Sequence, residues 1–204
     1  APLKENLAAG LILKTGWDGS VPLVDPLCGS GTFLIEAVSM KLKRATGLNS
    51  SFLFQKWIDY DSLAWDKEKQ IARECQQNEI TIPPILGCEK NLDIANNAKL
   101  NILRSGLKSF IQIQNINFTD LKLPEEKGIL VCNPPYGKRI GNDDSLANLY
   151  LELGDFCKKY ASGWQLWILN GNPKLSKFLK MKSKKRIPIN NGGIDCRWIN
   201  YEIN

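Results

Sequence analysis

Four consecutive residues, Asn133-Pro134-Pro135-Tyr136, combine a carboxamide, two imino acids without an N–H, and a flat aromatic ring. An exocyclic amine on a base, or an amide nitrogen, delocalises its lone pair and is a poor nucleophile until its N–H bonds point into well-placed acceptors. The Asn133 side-chain oxygen and the Pro134 carbonyl can supply two such acceptors. Pro134 biases Asn133 away from helical backbone, and neither proline offers a competing donor. Tyr136 offers a stacking face for a planar substrate. As a bare turn the tetrapeptide means little, because Asn-Pro opens many turns and a tyrosine can simply pack. Its position directly after the apolar run Ile129 to Cys132 is what makes it specific.

A second constellation is Asp25-Pro26-Leu27-Cys28-Gly29-Ser30-Gly31-Thr32. Two glycines where a strand turns into a helix let backbone approach a ligand without Cβ interference. A dinucleotide fingerprint needs a third small residue at position 34, where this chain has Leu34, and no Gly-Lys-Ser/Thr follows the turn. Pyrophosphate-binding and P-loop readings are therefore disfavoured. Asp25 closes one predicted strand and Glu89 follows another, so both acids face the crevice at the carboxyl ends of a parallel sheet. Glu89 is placed to accept from two ribose hydroxyls; its bland alternative is a solvated strand-end charge.

The elements that must position these residues follow from alternating apolar runs and amphipathic segments. Strands are predicted at Val21 to Asp25, Ile85 to Cys88, Ile111 to Gln114, Ile129 to Cys132 and Gln165 to Leu169. Two further β-rich runs lie near Arg186 to Ile189 and Cys196 to Ile203. Helices are predicted from the glycine turn to about Lys43, from Leu92 to Ser105 with Gly106 closing it, and from Leu146 to Tyr160. This is an α/β pattern with a plausible seven-stranded sheet. The segment from Thr46 to Pro84 is long for one connection; helical character from Asp61 to Gln77 makes it an inserted element that can cover the ligand site.

Composition bounds the chemistry. The 204 residues suit one domain, and 43% hydrophobic with 24% charged residues describes a soluble globular chain. No histidine is present, which removes Ser-His-Asp and Cys-His catalysis and every histidine metal site, and no metal is expected. Six cysteines without a CxxC pair read as reduced, mostly structural thiols. No apolar run approaches the roughly 20 residues of a membrane span, so a cytoplasmic location is expected. A net charge of +6 favours an anionic partner and permits nucleic acid. A start at Ala1, directly before a helical pattern, points to a processed product or an excised domain.

Taken together, the glycine turn, Glu89 and the Asn-Pro-Pro-Tyr signature resemble Rossmann-like S-adenosylmethionine-dependent methyltransferases of the amino-methylating type. Pro2-Leu3-Lys4-Glu5-Asn6-Leu7-Ala8-Ala9, Asp25 to Thr32, Asn133 to Gly137 and Gly193-Ile194-Asp195-Cys196 resemble more closely the bacterial 23S rRNA guanine-N2 methyltransferase family. In that family the catalytic domain follows an RNA-binding THUMP domain, which this sequence does not contain. The resemblance covers nearly the whole chain. It implies a seven-stranded, mostly parallel sheet with helices on both faces and an antiparallel last strand, S-adenosylmethionine as cofactor, and methylation of a guanine N2 amine in RNA.

Carried onto these residues, the family pattern implies cofactor contacts from Asp25, Pro26 and the stretch Cys28, Gly29, Ser30, Gly31 and Thr32, with Glu89 on the ribose and Asp120 near the adenine amine. Asp120 can equally be an exposed loop carboxylate. Lys4 and Glu5 fall in the segment flanking the cofactor, or are surface charges of the first helix. Asn133, Pro134, Pro135 and Tyr136 carry the catalytic role. Lys138 and Arg139 are candidates for contacting substrate RNA. Lys177 to Arg186 holds six Lys or Arg in ten residues, a phosphate-binding run or a solvated charged face. The tryptophans show no stacking period and are expected mostly in the core. The rivals are an adenine-N6 DNA or protein glutamine methyltransferase and, from another class, a non-catalytic RNA-binding module.

Overall fold

In the computed structural model, residues 3–48, 50–77, 80–137 and 143–204 are described. The elements run α1 (Glu5–Thr15), β1 (Leu23–Asp25), α2 (Thr32–Lys41), α3 (Ser62–Cys75), β2 (Ile85–Cys88), α4 (Leu92–Arg104), β3 (Ile111–Gln114), β4 (Ile129–Cys132), α5 (Asp143–Tyr160), β5 (Gln165–Asn170), β6 (Ser183–Asn191) and β7 (Ile194–Glu202). Short 3-10 turns occupy Leu53–Lys56, Phe118–Asp120 and Leu175–Leu179.

The strands form one seven-stranded sheet in the order β3-β2-β1-β4-β5-β7-β6. β1 to β5 pair in parallel, while β7 runs against both β5 and β6. The chain winds outward from β1 to β3 and then returns to the other side of β1. That reversal opens a crevice at the carboxyl ends of β1 and β4, the usual ligand position in an open α/β sheet. The expected Rossmann-like sheet with an antiparallel last strand is the one observed.

Period-two alternation divides the strand residues between two cores. Leu23, Ile85, Ile111, Ile129 and Val131 face α1, α2 and α4. Val24, Leu86, Leu130, Cys132 and Ile168 face α5. Trp198 of β7 stacks on Phe33 of α2 at 5.6 Å and on Trp167 of β5 at 5.7 Å, fixing the antiparallel strand beneath the helical layer. Trp17, Trp164, Trp167 and Trp198 lie in the core as expected, but Trp57 is exposed.

Boundaries differ from expectation where prolines and edges intervene. β1 begins at Leu23, after Pro22, whose carbonyl instead accepts from Ile129 N–H at 3.0 Å. β6 is longer than expected and contains Pro188, tolerated because this is an edge strand pairing only with β7. Gly192 and Gly193, both at positive φ (60° and 86°), join β6 to β7 in a two-residue turn that only a left-handed backbone can make.

The inserted element is rooted away from the crevice. Its rooting contacts lie at the end of the sheet opposite the crevice: Gln77 N–H donates to Leu42 O at the end of α2, and Arg44 reaches Ser105 O at the end of α4. Both helices run against the strands, so their last residues mark the strands' amino ends. α3 has no buried residue and joins neither core. The expectation that this element can cover the ligand site draws no support from these contacts, since its connections emerge from the end of the sheet away from the crevice.

Candidate active site

Pairing register places the chemistry-bearing residues on one rim. Asp25 is level with Gly87 of β2, and continuing the Val24–Leu130 register puts it level with Val131 of β4. Glu89 and Asn133 each lie two residues beyond that level, roughly 10 Å apart on either side of β1 by ordinary strand spacing. The glycine turn after β1 and the Asn-Pro-Pro-Tyr segment after β4 therefore leave the sheet at the same end, from neighbouring strands.

The glycine turn is held from several sides. Cys28 N–H donates to Cys88 O at 2.9 Å, drawing the loop across the tip of β2, and Gly31 N–H closes onto Cys28 O at 2.8 Å. Gly87 lets the loop settle there, since a Cβ on it would stand 3.0 Å from Cys28 Cβ and 2.7 Å from Ile113. Gly31 (φ 82°) is the N-cap of α2 and provides no side-chain cap, leaving first-turn N–H groups of that helix available. A Cβ on Gly29 would enter open space, so the backbone there borders the crevice. Ser30 and Thr32 hydroxyls bond one another at 3.0 Å.

Asp25 is 2% exposed and accepts Leu27 N–H at 3.0 Å. Burial pushes its carboxyl up to about 8; the Leu27 bond opposes this and the Glu89 charge adds to it. A buried acid with this titration near neutrality is poised to ionise beside a bound cation. Glu89 accepts Asn91 N–H at 2.8 Å through Oε1. The Asn115 amide donates to the Glu89 and Lys90 carbonyls at 2.8 and 3.1 Å. Asp120 closes the turn after β3 and is exposed, with its N–H donating to Asn117 O. Lys4 and Glu5 are exposed at the start of α1, with Glu5 close enough to raise Glu36 of α2, whose carboxyl is lifted first by burial.

At the tip of β4, Asn133 Oδ1 is buried and has no hydrogen-bond partner among the described residues. Pro134 beside it is buried and Pro135 half-buried. An unpaired buried acceptor costs about 1–3 kcal/mol, a cost that an incoming N–H would relieve. Tyr136 is anchored on the other side. Its hydroxyl accepts from the Asn191 amide at 2.9 Å and bonds the Cys196 thiol at 3.6 Å, and burial, foremost, pushes it up to about 12. Gly171, just after β5, leaves room for the ring, since a Cβ there would lie 2.6 Å from Tyr136 Cδ2.

The rim thus gathers Asp25, Pro26, Cys28 to Thr32, Glu89 and Asn133 to Tyr136, with Asp120 on the loop beyond β3. Lys138 and Arg139 lie outside the described residues. Sequence reasoning missed the supports: Asn101 of α4, whose amide donates to Ser30 O at 3.1 Å, together with Asn115, Gly171 and Asn191. Only Asn191 had a local signal, the Asn-Gly-Gly turn it opens. The cysteines are all free, and all but Cys75 are buried. Burial pushes Cys88 and Cys157 up to about 12, so these are packed thiols.

A sheet of this order with a glycine turn after β1 and an acceptor-bearing proline turn after β4 defines a Rossmann-like methyltransferase. The chain belongs to the RMKL-like methyltransferase-domain family UPF0020, matched over residues 1–200. The Synechocystis protein slr0064 is 39% identical over 204 residues, which are 100% of this chain and 53% of that protein. Ribosomal RNA large subunit methyltransferase K/L of Buchnera aphidicola is 37% identical over 215 residues, covering 100% of this chain and 30% of its own length. The chain therefore spans from 30% to 53% of the length of these curated relatives. The solved structure of SMU.472, complexed with SAH, superposes with a TM-score of 0.94 at 29% identity over 100% of this chain and 53% of that one.

Proposed function

We propose that this domain uses S-adenosylmethionine to methylate the exocyclic N2 amine of a guanine in RNA, with 23S rRNA as the target. The single observation that carries the reading is the buried Asn133 Oδ1, without a hydrogen-bond partner among the described residues, standing one strand away from a glycine turn whose backbone borders open space. The K/L relatives support an rRNA substrate, and the SAH in the SMU.472 structure supports the cofactor.

The residues present fit that cofactor. Asp25, Pro26, and Cys28, Gly29, Ser30, Gly31 and Thr32 would hold its methionine part, where a buried acid can meet a cationic amine and uncapped N–H groups can meet a carboxylate. Glu89 would take the ribose hydroxyls through its second oxygen, and Asp120 the adenine amine. When bound, S-adenosylmethionine would supply a sulfonium methyl for in-line transfer to that nitrogen, with S-adenosylhomocysteine as the leaving group and the amine proton passing to water or a carboxylate.

Asn133 Oδ1 and the Pro134 carbonyl accept the amine's N–H bonds and stabilise positive charge developing on nitrogen. Pro135 keeps the turn rigid, and Tyr136, tethered by Asn191, stacks on the unstacked base. Lys138 and Arg139 follow directly in sequence and are proposed to meet the RNA backbone. A THUMP-type RNA-binding domain, carried by a longer chain, would select the target. Catalysis then rests chiefly on positioning two reactants.

The test incubates the chain with methyl-labelled cofactor and rRNA, then digests the products for mass spectrometry. Label recovered as N2-methylguanine is expected; label as methyladenine or methylglutamine would overturn the guanine assignment. Asn133→Ala should lower the single-turnover rate by about 100-fold or more while leaving cofactor affinity near that of the unsubstituted chain. An unchanged rate removes Asn133 from the site.

A further inference from the structure

The lysine-rich run from Lys177 to Arg186 takes no part in the rim, and the topology explains why. After β5 reaches the rim, the chain returns along α5 through the turn Leu175–Leu179 and begins β6 at the opposite end of the sheet. Lys180, Lys182 and Lys184 gather there. α5 ends at the same place and contributes Lys158. These four lysines line an open cavity of about 440 Å³ whose acidic side chain is Glu202, already paired with Lys184.

The charges at this cavity are under-compensated. Lys158 pairs with Asp155 at 2.8 Å, and the Lys158 bond together with the Lys158 and Lys180 charges holds the Asp155 carboxyl below its ordinary value. Lys180 and Lys182 have no ion pair among the described residues. With Lys158 on Asp155 and Lys184 on Glu202, Lys180 and Lys182 are left as two uncompensated positive side chains on a concave surface.

Lysines on an edge strand commonly block edge-to-edge pairing, and Lys185 and Arg186 suit that role. Lys158 does not, because it comes from a helix, and Lys180 and Lys182 precede the strand. The backbone holds them in place. Lys180 adopts a left-handed conformation (φ 50°) at the end of its turn, and the β6–β7 register shifts between Ser183 and Lys185.

We propose that this cavity is a second RNA-binding site, taking backbone phosphates on the far end of the sheet from the Asn133 cleft. The proposal rests on the RNA reading above. Lysine ammonium groups act as point charges without the planar fork of arginine, which suits a sequence-independent phosphate contact. The β5–β7 and β4–β5 registers put Glu202 about four strand steps below Asn133 and two strands across, roughly 15–20 Å away. A nucleotide in the cleft cannot reach it. A folded RNA presenting one base to the cleft can, so the cavity anchors the molecule while the rim reads the base.

The test is fluorescence anisotropy of a labelled 30-nucleotide RNA stem–loop, titrated with the 204-residue chain across a salt series. Two double variants are compared, Lys180→Gln with Lys182→Gln and Lys180→Arg with Lys182→Arg. SAH titration calorimetry on each reports folding and cleft integrity. The glutamine variant should bind RNA more weakly, with the log K against log salt slope shallower by about 0.7–0.9 for each phosphate that is no longer neutralised. The arginine variant should keep the slope, and SAH affinity should be unchanged in both.

A glutamine variant with the original slope overturns the site, as does an unsubstituted chain that fails to bind the stem–loop. Inorganic pyrophosphate that binds in a lysine-dependent way without displacing RNA would assign the cavity to a small anion instead. The two readings fail separately. Lysine-dependent RNA binding without methyl transfer leaves this site standing and rejects the proposed reaction, whereas methyl transfer with unaltered salt dependence rejects this site alone.

Discussion

Asp25 concentrates the physical chemistry of the rim in one side chain. Its carboxyl is buried at the switch point of the sheet, held there by the Leu27 N–H, and titrates near 8 because burial penalises the charge. The folded state therefore binds this proton more tightly than the unfolded state, where an aspartate titrates near 3.8. Stability from that preference is complete below the unfolded value and drains away as pH rises toward 8, by at most about 1.4 kcal/mol per pH unit. Asp25→Asn keeps an oxygen for Leu27 and removes the titration. Its melting temperature should gain on the unsubstituted chain steadily between pH 5 and 8, in parallel thermal melts. A difference independent of pH would show that the carboxyl is not desolvated. The same variant should bind SAH more weakly at pH 8, because the ionised partner for a cationic amine is gone.

At the level of elements, what distinguishes the site is how far apart in the chain its supports lie. Tyr136 follows β4, yet it is placed by Gly171 after β5 and by Asn191 and Cys196 in the β6–β7 hairpin. Gly171→Ala puts a Cβ into the ring's position, and the tyrosine must move. The expected result is a single-turnover rate about ten-fold or more lower, in line with the cost of an ångström of misplacement. SAH affinity should stay the same, because the glycine turn is held separately by β2 and α4. Rate and affinity falling together would mean that the two halves of the rim are mechanically one. The strands and the residues at their tips were readable in the sequence because apolar runs ending in Asp25, Glu89 and Asn133 are local patterns. The supports were not: Asn101, Asn115 and Gly171 act through contacts between segments dozens of residues apart, which no local period encodes. The rooting of the inserted element was unreadable for the same reason, since helical propensity marks a helix and does not say from which end of the sheet it emerges.

Across the whole molecule, the sheet separates two groups of chemistry-bearing residues by its two ends. The rim holds Asp25, Glu89 and Asn133 to Tyr136, the groups proposed to bind and react; the opposite end carries the lysine cavity on one flank and roots the inserted element on another. That element is a local assembly in which Phe54 packs edge-on against Trp65 at 5.1 Å and beside Trp57 at 6.3 Å. It leaves Leu53, Trp57, Ile58 and Leu63 exposed and adds no buried side chain from α3 to either core. Because Gln77 N–H bonds Leu42 O, the two ends of the element lie close together and a short linker can replace what lies between. Substituting residues 50–76 with a Gly-Ser linker should therefore leave SAH affinity unchanged and the melting temperature within a few degrees, since loop closure changes only slowly with length. The truncated chain should also be less prone to aggregate, having shed its exposed apolar surface. Calorimetry and a thermal melt on the excised chain decide it: a loss of SAH binding would show that the element reaches round the sheet to the rim, and a collapse of the melt would show that the cores depend on it.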